Sequence, residues 1–412
     1  MITTNTPAAG AFMLKLIALN QLRMGMYIHQ FCGSWLDHSF WKAGFILDSP
    51  QDYQRLQRSN MHNLWIDSAK GLDLASSEPL VTEHDEALSA PTLRRPPQVP
   101  MSEELERART LCAHSRQAVM NMFQEVRLGR AVDMQHASAL VERITDSLLR
   151  HPNALISLAR LKTADDYSYM HSVAVCALMI ALARQLELPA QQVQQAGIAG
   201  LLHDIGKLTI PDSILNKPHK LSDSEYDQIK HHPQAGSEIL RQSQEVDALV
   251  LDVCLHHHEK LDGSGYPHQL EGEQISLFAQ MGAVCDVYDA VTSNRPYNRG
   301  WDPAEAIHRM SGWDGHFDTR VFQAFVKSVG IYPVGSLVRL QSGRLGVVLE
   351  QHASSLLMPK VKVFFSTRSN LPIQQSVLDL AKLRGQERII GREAPEDWDF
   401  HYLEQLWTGV AH

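Results

Sequence analysis

His203 and Asp204 are neighbouring residues of the types that hold metal ions, within the order LLHDIGK at 201–207. Neighbouring side chains on a helix point ~100° apart. Both side chains can reach one site only if that site lies between them. Two adjacent metal ions bridged by the carboxylate would meet this condition. A single His-Asp pair is usually a surface accident, so this interpretation depends on further ligands elsewhere in the chain.

Further imidazoles and carboxylates occur in the segments around this pair. They are His171, His231, His232, His256, His257, His258, Asp286 and Asp289. Each alone has an ordinary explanation, such as a hydrogen-bonded core histidine or a solvated helix end. Together, on helices that face one bundle interior, they are what a metal site in a helical core requires. An unpaired Asp286 among apolar neighbours would be costly to bury, and a cation removes that cost.

A glycine-rich loop, DGSGYP at 262–267, follows three consecutive histidines. Two glycines in three residues permit a close backbone approach, and the proline stiffens the exit. The sequence is compatible both with a tight structural loop and with the lip of a pocket beside the metals. Lys207 and Arg295 are cations near the candidate ligands, and both could hold a phosphate group.

The elements that must position these residues are predicted to be helices. They cover residues 101–129, 133–150, 153–162, 166–186, 190–206, 222–243, 246–258, 274–293, 303–312 and 317–328. Beyond them, residues 335–340 and 346–349 predict a β-hairpin around Ser342 and Gly343, and 360–365 predict a third strand. The tail from 366 is expected to be irregular, with a short helix near 399–407.

The residues before the helical region predict a small α/β unit, with strands at 14–18, 24–28 and 63–67 and a helix at 52–58. Residues 76–100 contain five prolines, which is typical of a linker. The fold class is therefore mainly α, a helical bundle with a small N-terminal α/β domain and a short C-terminal β appendage. The predicted parts are an α/β domain at 1–75, a linker at 76–100, a helical connector at 101–150, the main helical domain at 151–333 and a β extension with its tail at 334–412.

The 412-residue chain has a net charge of -8 and 44% hydrophobic residues. This balance disfavours a polyanionic partner such as double-stranded nucleic acid. The five cysteines are scattered without C-x-x-C spacing, which indicates reduced, mostly buried thiols. No stretch approaches the ~20 apolar residues of a membrane span, and no signal peptide is recognisable, so a cytoplasmic location is expected.

Five motifs together resemble the HD-GYP family. They are HDIGK at 203–207, HHP at 231–233, HHE at 257–259, DGSGYP at 262–267 and DVYDAVTSNRPY at 286–297. The match covers about residues 151–340 in the family's order and spacing, so 151–333 is interpreted as an HD-GYP domain with an HD-type bundle. The N-terminal unit, with LRMGMY at 22–27 and Trp35 ahead of Gly44, resembles a domain of unknown function often found before HD-GYP.

The resemblance implies a metal-dependent phosphodiesterase that hydrolyses cyclic di-GMP to linear pGpG, and in some members GMP, through a hydroxide bridged between two metals. Its role would be in bacterial signalling that controls biofilm, motility and virulence. By similarity, one metal would be held by His171, His203, Asp204 and Asp286. The other would be held by Asp204, His232, His257 and His258.

The resemblance also assigns roles around the metals. Asp204 and Lys207 would be catalytic, and Glu259 would orient a ligand histidine. The residues expected to contact the substrate are Lys207, Gly263, Gly265, Tyr266, Pro267, Asp289 and Arg295.

The expected cofactors are two divalent ions, iron or manganese by resemblance, with nickel and zinc as alternatives. Some members carry a glutamate four residues before the first ligand histidine, and it helps to bind a third metal. Tyr167 occupies that position here. A third metal is therefore not expected, although Asp165 and Asp166 keep that alternative open.

Two other functions remain open. An HD phosphohydrolase could act on another cyclic dinucleotide or on a guanosine polyphosphate, although the DGSGYP loop favours cyclic di-GMP. A sensor or scaffold could bind cyclic di-GMP without hydrolysing it, although no expected ligand is missing. The candidate partners are cyclic di-GMP, GGDEF-domain cyclases and a second copy of the chain in a homodimer. The N-terminal unit is expected to be regulatory or dimerising.

Overall fold

A computed structural model describes residues 14–31, 45–57, 63–68, 70–72, 97–161, 167–215, 217, 219–293, 300–352, 355–383, 385–400 and 402–409. The chain divides into two compact units, Met1–Leu93 and Arg94–His412. The smaller unit contains the N-terminal sheet. The larger unit contains the helical region and the C-terminal sheet.

The N-terminal unit is built on an antiparallel sheet. Its strands, in the spatial order β1-β4-β2-β3, are β1 (Leu14–Ala18), β2 (Tyr27–Phe31), β3 (Phe45–Ile46) and β4 (Asn63–Asp67). One helix, α1 (Pro50–Gln57), belongs to the same unit, and Ile17, Ile28 and Ile66 lie in its buried core. The strands expected at 14–18 and 63–67 and the helix expected near 52–58 are present.

The larger unit is mainly helical, as the sequence predicts. Its helices are α2 (Met101–Arg127), α3 (Met134–Arg150), α4 (Ala154–Arg160), α5 (Tyr167–Gln185), α6 (Ala190–Leu202), α7 (Asp212–Leu215), α8 (Asp223–Ile229), α9 (His232–Arg241), α10 (Ala248–His256), α11 (Leu277–Thr292), α12 (Pro303–Ser311) and α13 (Thr319–Val329). Helix α5 is apolar on nearly all sides and packs against α2, α4, α6, α11 and α13, so it forms the centre of the bundle. Within the described residues, no helix combines the length and the apolar character needed to cross a membrane.

The helix predicted over 190–206 ends earlier than expected. Helix α6 stops at Leu202, and a 3-10 helix, Ile205–Thr209, follows His203 and Asp204. A Cβ atom on Gly206 would lie 1.9 Å from the carbonyl oxygen of His232. The two backbones therefore touch at Gly206, and this tertiary contact places His203 and Asp204 at a junction rather than inside a helix.

The helix predicted over 222–243 is two helices. Helix α8 ends at Ile229, and α9 begins at His232 with Pro233 in its first turn. Proline has no N–H to donate and disfavours helical backbone in the residue before it. The break separates the two neighbouring histidines, because His232 is buried while His231 stays exposed.

The C-terminal sheet has antiparallel strands in the order β8-β7-β6-β5-β9. They are β5 (Leu337–Leu340), β6 (Arg344–His352), β7 (Ser355–Ser366), β8 (Leu371–Asp379) and β9 (Ile389–Arg392). The predicted hairpin and third strand are confirmed, but the expectation of an irregular tail is wrong because β8 and β9 complete the sheet. Strand β8 is mostly exposed, so its sequence carries no regular apolar alternation. A last helix, α14 (Leu403–Thr408), overlaps the region near 399–407 predicted to be helical.

Candidate metal centre

The predicted metal ligands come from five parts of the bundle and meet in its interior. They are His171 on α5, His203 and Asp204 after α6, His232 on α9, His257 and His258 after α10, and Asp286 on α11. All except His258 have no more than 6% of their surface exposed. The side chain of His258 is 20% exposed, so it lies at the open side of the site.

One ligand cluster joins His171, His203, Asp204 and Asp286. Each offers one ligand atom, and these atoms all lie within 4.8 Å of one another. Nε2 of His171 lies 3.0 Å from Oδ1 of Asp286 and 3.4 Å from Oδ2 of Asp204. Nε2 of His203 lies 3.4 Å from the same oxygen of Asp204. The geometry therefore brings together the four residues predicted for one metal.

A second ligand cluster joins Asp204 with His232, His257 and His258, again with ligand atoms within 4.8 Å of one another. Nε2 of His232 lies 3.3 Å from Oδ1 of Asp204 and 3.3 Å from Nε2 of His257. Asp204 thus presents Oδ2 to the first cluster and Oδ1 to the second. Asp286 also reaches both, because its Oδ2 lies 3.7 Å from Nδ1 of His258, a contact that the sequence did not predict.

The donor atoms fit a pair of divalent cations. Within the described part of the chain, Nε2 of His203 and Oδ1 of Asp204 are buried and have no hydrogen-bond partner. An unsatisfied buried polar atom costs about 1–3 kcal/mol, and a cation at either cluster would satisfy these atoms. Imidazole nitrogens and carboxylate oxygens together suit transition-metal ions.

The rings of the ligand histidines are oriented from behind by their Nδ1 atoms. Nδ1 of His203 lies 2.8 Å from the carbonyl oxygen of Gly200, and Nδ1 of His232 lies 2.7 Å from that of Ile229. Nδ1 of His257 lies 3.0 Å from the carbonyl oxygen of Cys254. Each Nδ1–H therefore donates to the backbone and leaves Nε2 with a lone pair that faces the site.

Comparison with known proteins identifies the family. The HD domain family matches residues 142–321, and a domain of unknown function, DUF3391, matches residues 14–137. The chain is 58% identical over 400 residues, 97% of each protein, to a Pseudomonas aeruginosa protein named cyclic di-GMP phosphodiesterase PA4108. The chain belongs to the HD-GYP family.

Other relatives match a smaller part of this HD-GYP chain. The cyclic di-GMP phosphodiesterase response regulator RpfG of Xanthomonas campestris is 43% identical over 151 residues, which is 35% of this chain and 39% of that protein. The 3'3'-cGAMP-specific phosphodiesterase 1 of Vibrio cholerae is 37% identical over 166 residues, which is 39% of this chain and 38% of that protein. The proteins that match part of this chain are therefore named for different cyclic dinucleotides.

Asp289 lies behind His171 and not at the open side of the HD-GYP site. Its Oδ2 lies 2.6 Å from Nδ1 of His171, its Oδ1 lies 3.5 Å from Oγ of Ser293, and 2% of its surface is exposed. This buried carboxylate is engaged within the protein, so the geometry does not favour the predicted substrate contact, which stays a prediction. It holds the ring of a ligand histidine, as carboxylates behind metal ligands commonly do.

The carboxylates of Asp204 and Asp286 are held in their ionised form. Burial raises the pKa of Asp204, but the nearby Lys207 and His203 outweigh it and hold the pKa well below its usual range. For Asp286, the nearby imidazoles of His171 and His203 likewise outweigh burial and hold its pKa well below the usual range. Burial lowers the pKa of His171, but its contacts with the surrounding aspartates outweigh burial and raise the pKa to about 10. A cation bound there has to displace this proton, because only neutral imidazole is a ligand.

His257 and His258 are neutral in the folded chain. Burial lowers the pKa of His257 well below its usual range, and the neighbouring imidazoles of His258 and His203 lower it further. Burial also lowers the pKa of His258 to about 3, with His232 acting in the same direction and Asp286 opposing. Both rings therefore have lone pairs available at neutral pH.

The DGSGYP loop reaches the second cluster through Tyr266. Its ring stacks on that of His258 with centroids 4.7 Å apart, and it meets His232 edge-on at 6.5 Å. The loop lies against the backbone at Glu259, since a Cβ atom on Gly265 would lie 2.5 Å from Cα of that residue. Gly263 has a φ of +73°, a backbone conformation that favours glycine. Pro267 follows Tyr266 and is partly exposed.

Glu259 has a different role from the predicted one. Its carboxylate accepts hydrogen bonds from the backbone N–H groups of His268 and Leu270, at 2.7 Å and 3.1 Å. It therefore fixes the chain that leaves the loop and does not orient a ligand histidine. Some predictions concern residues that the structure does not describe. They are the substrate contact of Arg295 and the question of a third metal, which depends on Asp165, Asp166 and the side chain of Tyr167.

Proposed function

We propose that this chain hydrolyses cyclic di-GMP to linear pGpG, with two divalent ions held by the two clusters that share Asp204. The observation that carries the proposal is the position of this carboxylate, whose Oδ2 lies 3.4 Å from Nε2 of His171 and whose Oδ1 lies 3.3 Å from Nε2 of His232. The relatives named cyclic di-GMP phosphodiesterase support the choice of substrate, because one of them matches the chain over 97% of its length.

Bound at such a site, two divalent ions lower the pKa of a water molecule and offset the negative charge of a phosphodiester. Lys207 adds a positive charge beside them, since its Nζ lies 2.5 Å from Oδ2 of Asp204 and its side chain is 28% exposed. Its ammonium group can therefore donate to a phosphate oxygen as well as to the carboxylate. Asp289 acts indirectly, because it holds His171 in the orientation that a ligand needs.

Tyr266 is the second group of the chain that we assign to the substrate. It lies at the open side of the site, against His258. Burial raises the pKa of its phenol, so the hydroxyl stays protonated over the physiological range. A protonated hydroxyl can donate a hydrogen bond to a phosphate oxygen of a nucleotide that enters from this side.

The identity of the ions is part of the proposal. The ligand set contains imidazoles and carboxylates without thiolate, which suits iron or manganese as well as nickel or zinc. We propose iron or manganese, and two ions per chain, because the two clusters share one carboxylate and account for every predicted ligand.

The test measures nucleotide hydrolysis by protein of defined metal content. Protein stripped with a chelator is reloaded with iron(II), manganese, nickel or zinc, and each form is incubated with cyclic di-GMP, 3'3'-cGAMP and a guanosine polyphosphate. We expect hydrolysis of cyclic di-GMP to pGpG, highest with iron or manganese, and none in the stripped protein. Turnover of another nucleotide with inert cyclic di-GMP would refute the substrate. Tight binding of cyclic di-GMP without product in every metal form would identify a sensor instead.

A further inference from the structure

A separate histidine pair lies beside the metal centre. His256 is the last residue of α10, directly before the ligands His257 and His258, and His268 follows the DGSGYP loop. Nε2 of His256 lies 3.0 Å from Nδ1 of His268, with the ring centroids 5.2 Å apart. A similar approach of two ring nitrogens occurs inside the second ligand cluster, where two Nε2 atoms lie 3.3 Å apart.

The ring of His256 and the backbone of His268 are held by other polar groups. Nδ1 of His256 lies 2.7 Å from Oδ1 of Asp252, so Nδ1–H donates to this carboxylate and Nε2 is the ring nitrogen that faces His268. The other oxygen of Asp252 accepts a hydrogen bond from the hydroxyl of Ser276. On the loop side, the buried carboxylate of Glu259 accepts a hydrogen bond from the backbone N–H of His268. The two nitrogens are thus presented to each other by fixed parts of the fold.

We propose that His256 and His268 form a further site for a divalent transition-metal ion, with Asp252 orienting His256. Imidazole donors favour ions such as zinc, copper or nickel over magnesium or calcium. A carboxylate behind a ligand imidazole is the usual support of a metal-binding histidine. His268 is exposed, so water can fill the remaining coordination positions.

A bound ion at this site would connect two parts of the metal centre. His268 directly follows Pro267, the last residue of the DGSGYP loop, and His256 directly precedes the ligand pair after α10. An ion held by both rings therefore ties the exit of the loop to the helix end that positions His257 and His258. The site takes a free metal ion as its ligand, and it does not depend on which nucleotide the chain hydrolyses.

The test counts zinc ions in the full chain without nucleotide. Wild type, His268→Asn and the exposed-surface control His219→Asn are stripped with a chelator, equilibrated with excess zinc chloride and analysed for zinc per chain. We expect wild type and the control to hold one more zinc ion than His268→Asn. Asparagine keeps an N–H that can donate to Nε2 of His256 but is a poor zinc ligand. Equal counts in all three proteins would show that the pair is only hydrogen-bonded, and would overturn the proposal.

A second variant decides the question if His268→Asn lowers the melting temperature of the metal-free chain. Asp252→Asn keeps both ligands and weakens only the support of His256. We expect it to weaken one zinc-binding step by ~10–100-fold in a titration, as is typical for a residue behind a ligand, and to leave the other steps unchanged. Zinc binding that is as tight as in wild type at every step would contradict the proposed site.

Discussion

Nδ1 of His171 lies 2.6 Å from Oδ2 of Asp289, so these residues form a buried pair on the far side of the ring from the ligand cluster. The opposite nitrogen of the ring, Nε2, faces Asp204 and Asp286. His203, His232 and His257 are supported instead by backbone carbonyls. The support of His171 can therefore be removed by a side-chain substitution.

Replacing Asp289 with alanine is expected to weaken metal binding without removing a ligand. The ring of His171 loses its acceptor and its fixed orientation, which typically lowers metal affinity by ~10–100-fold. The measurement is the manganese concentration that gives half-maximal hydrolysis, together with metal per chain at limiting manganese. Excess manganese should restore the turnover number. A raised KM for the nucleotide with an unchanged metal requirement would support the original prediction of a substrate contact.

Replacing Lys207 with alanine is expected to slow hydrolysis without weakening metal binding. Lys207 contacts Asp204 but offers no ligand atom, so both ions should remain. Loss of one charged hydrogen bond to a phosphate corresponds to about 1.5–3 kcal/mol, or a ~10–100-fold fall in kcat/KM. Elemental analysis and steady-state kinetics of the same preparation separate the two effects. Lys207→Arg keeps the charge and should retain more activity; loss of metal in Lys207→Ala would contradict the assignment.

Replacing Asp204 with asparagine is expected to affect both ions at once. Each of its oxygens faces a different cluster, and the amide has neither the charge nor the second acceptor. The fall in hydrolysis should exceed the ~10–100-fold that is typical for residues behind a ligand. Asp314→Asn, at an exposed position, is the matched control. Unchanged metal content and turnover in Asp204→Asn would refute the shared carboxylate.

The metal-free chain is expected to lose stability in acid through two neutral histidines, the buried His257 and the partly buried His258. The pKa of His258 is lowered to about 3 from an ordinary value of 6.5, so the folded chain binds fewer protons than the unfolded chain between these values. The free energy of unfolding therefore falls as the pH drops below 6.5, by up to about 1.4 kcal/mol per pH unit for each such group. His257 contributes in the same direction.

Thermal melting of the stripped protein between pH 4.5 and pH 9 measures this dependence. His258→Gln should flatten the acid side, whereas His219→Gln, at an exposed position, should not. On the alkaline side the sign reverses, because the pKa of His171 is raised to about 10 and its contribution is lost as the pH rises towards that value. An acid slope in His258→Gln equal to that of wild type would contradict the neutral state of this partly buried ring.

The candidate ligands can be predicted from the sequence, because residue type and motif spacing identify them without any knowledge of where each side chain points. Helical spacing alone does not separate Asp286 from Asp289, since residues three apart on a helix share a face. The family resemblance assigns only Asp286 to the metals, and packing places Asp289 behind His171. The end of α6 at Leu202 depends on a backbone contact between Gly206 and α9, which is tertiary. Strand β8 was missed because an exposed strand needs no apolar alternation.

Replacing Gly206 with alanine tests whether this backbone contact holds the metal centre together. The new Cβ would lie 1.9 Å from the carbonyl oxygen of His232 and 2.4 Å from the nitrogen of Gly236. Neither backbone atom can rotate away, so α9 must shift, and His232 moves with it away from Asp204. Overpacking of this kind costs about 1–3 kcal/mol, which should lower the melting temperature and reduce the metal content.

Gly312→Ala is the matched control for this substitution. A Cβ atom there would meet only the carbonyl oxygen of Arg309, at an ordinary 3.5 Å, so stability and metal content should stay close to those of wild type. Elemental analysis and thermal melting of both variants give the answer. If Gly206→Ala melts and binds metal like Gly312→Ala, the close approach of the two backbones is not what sets the distance between His232 and Asp204.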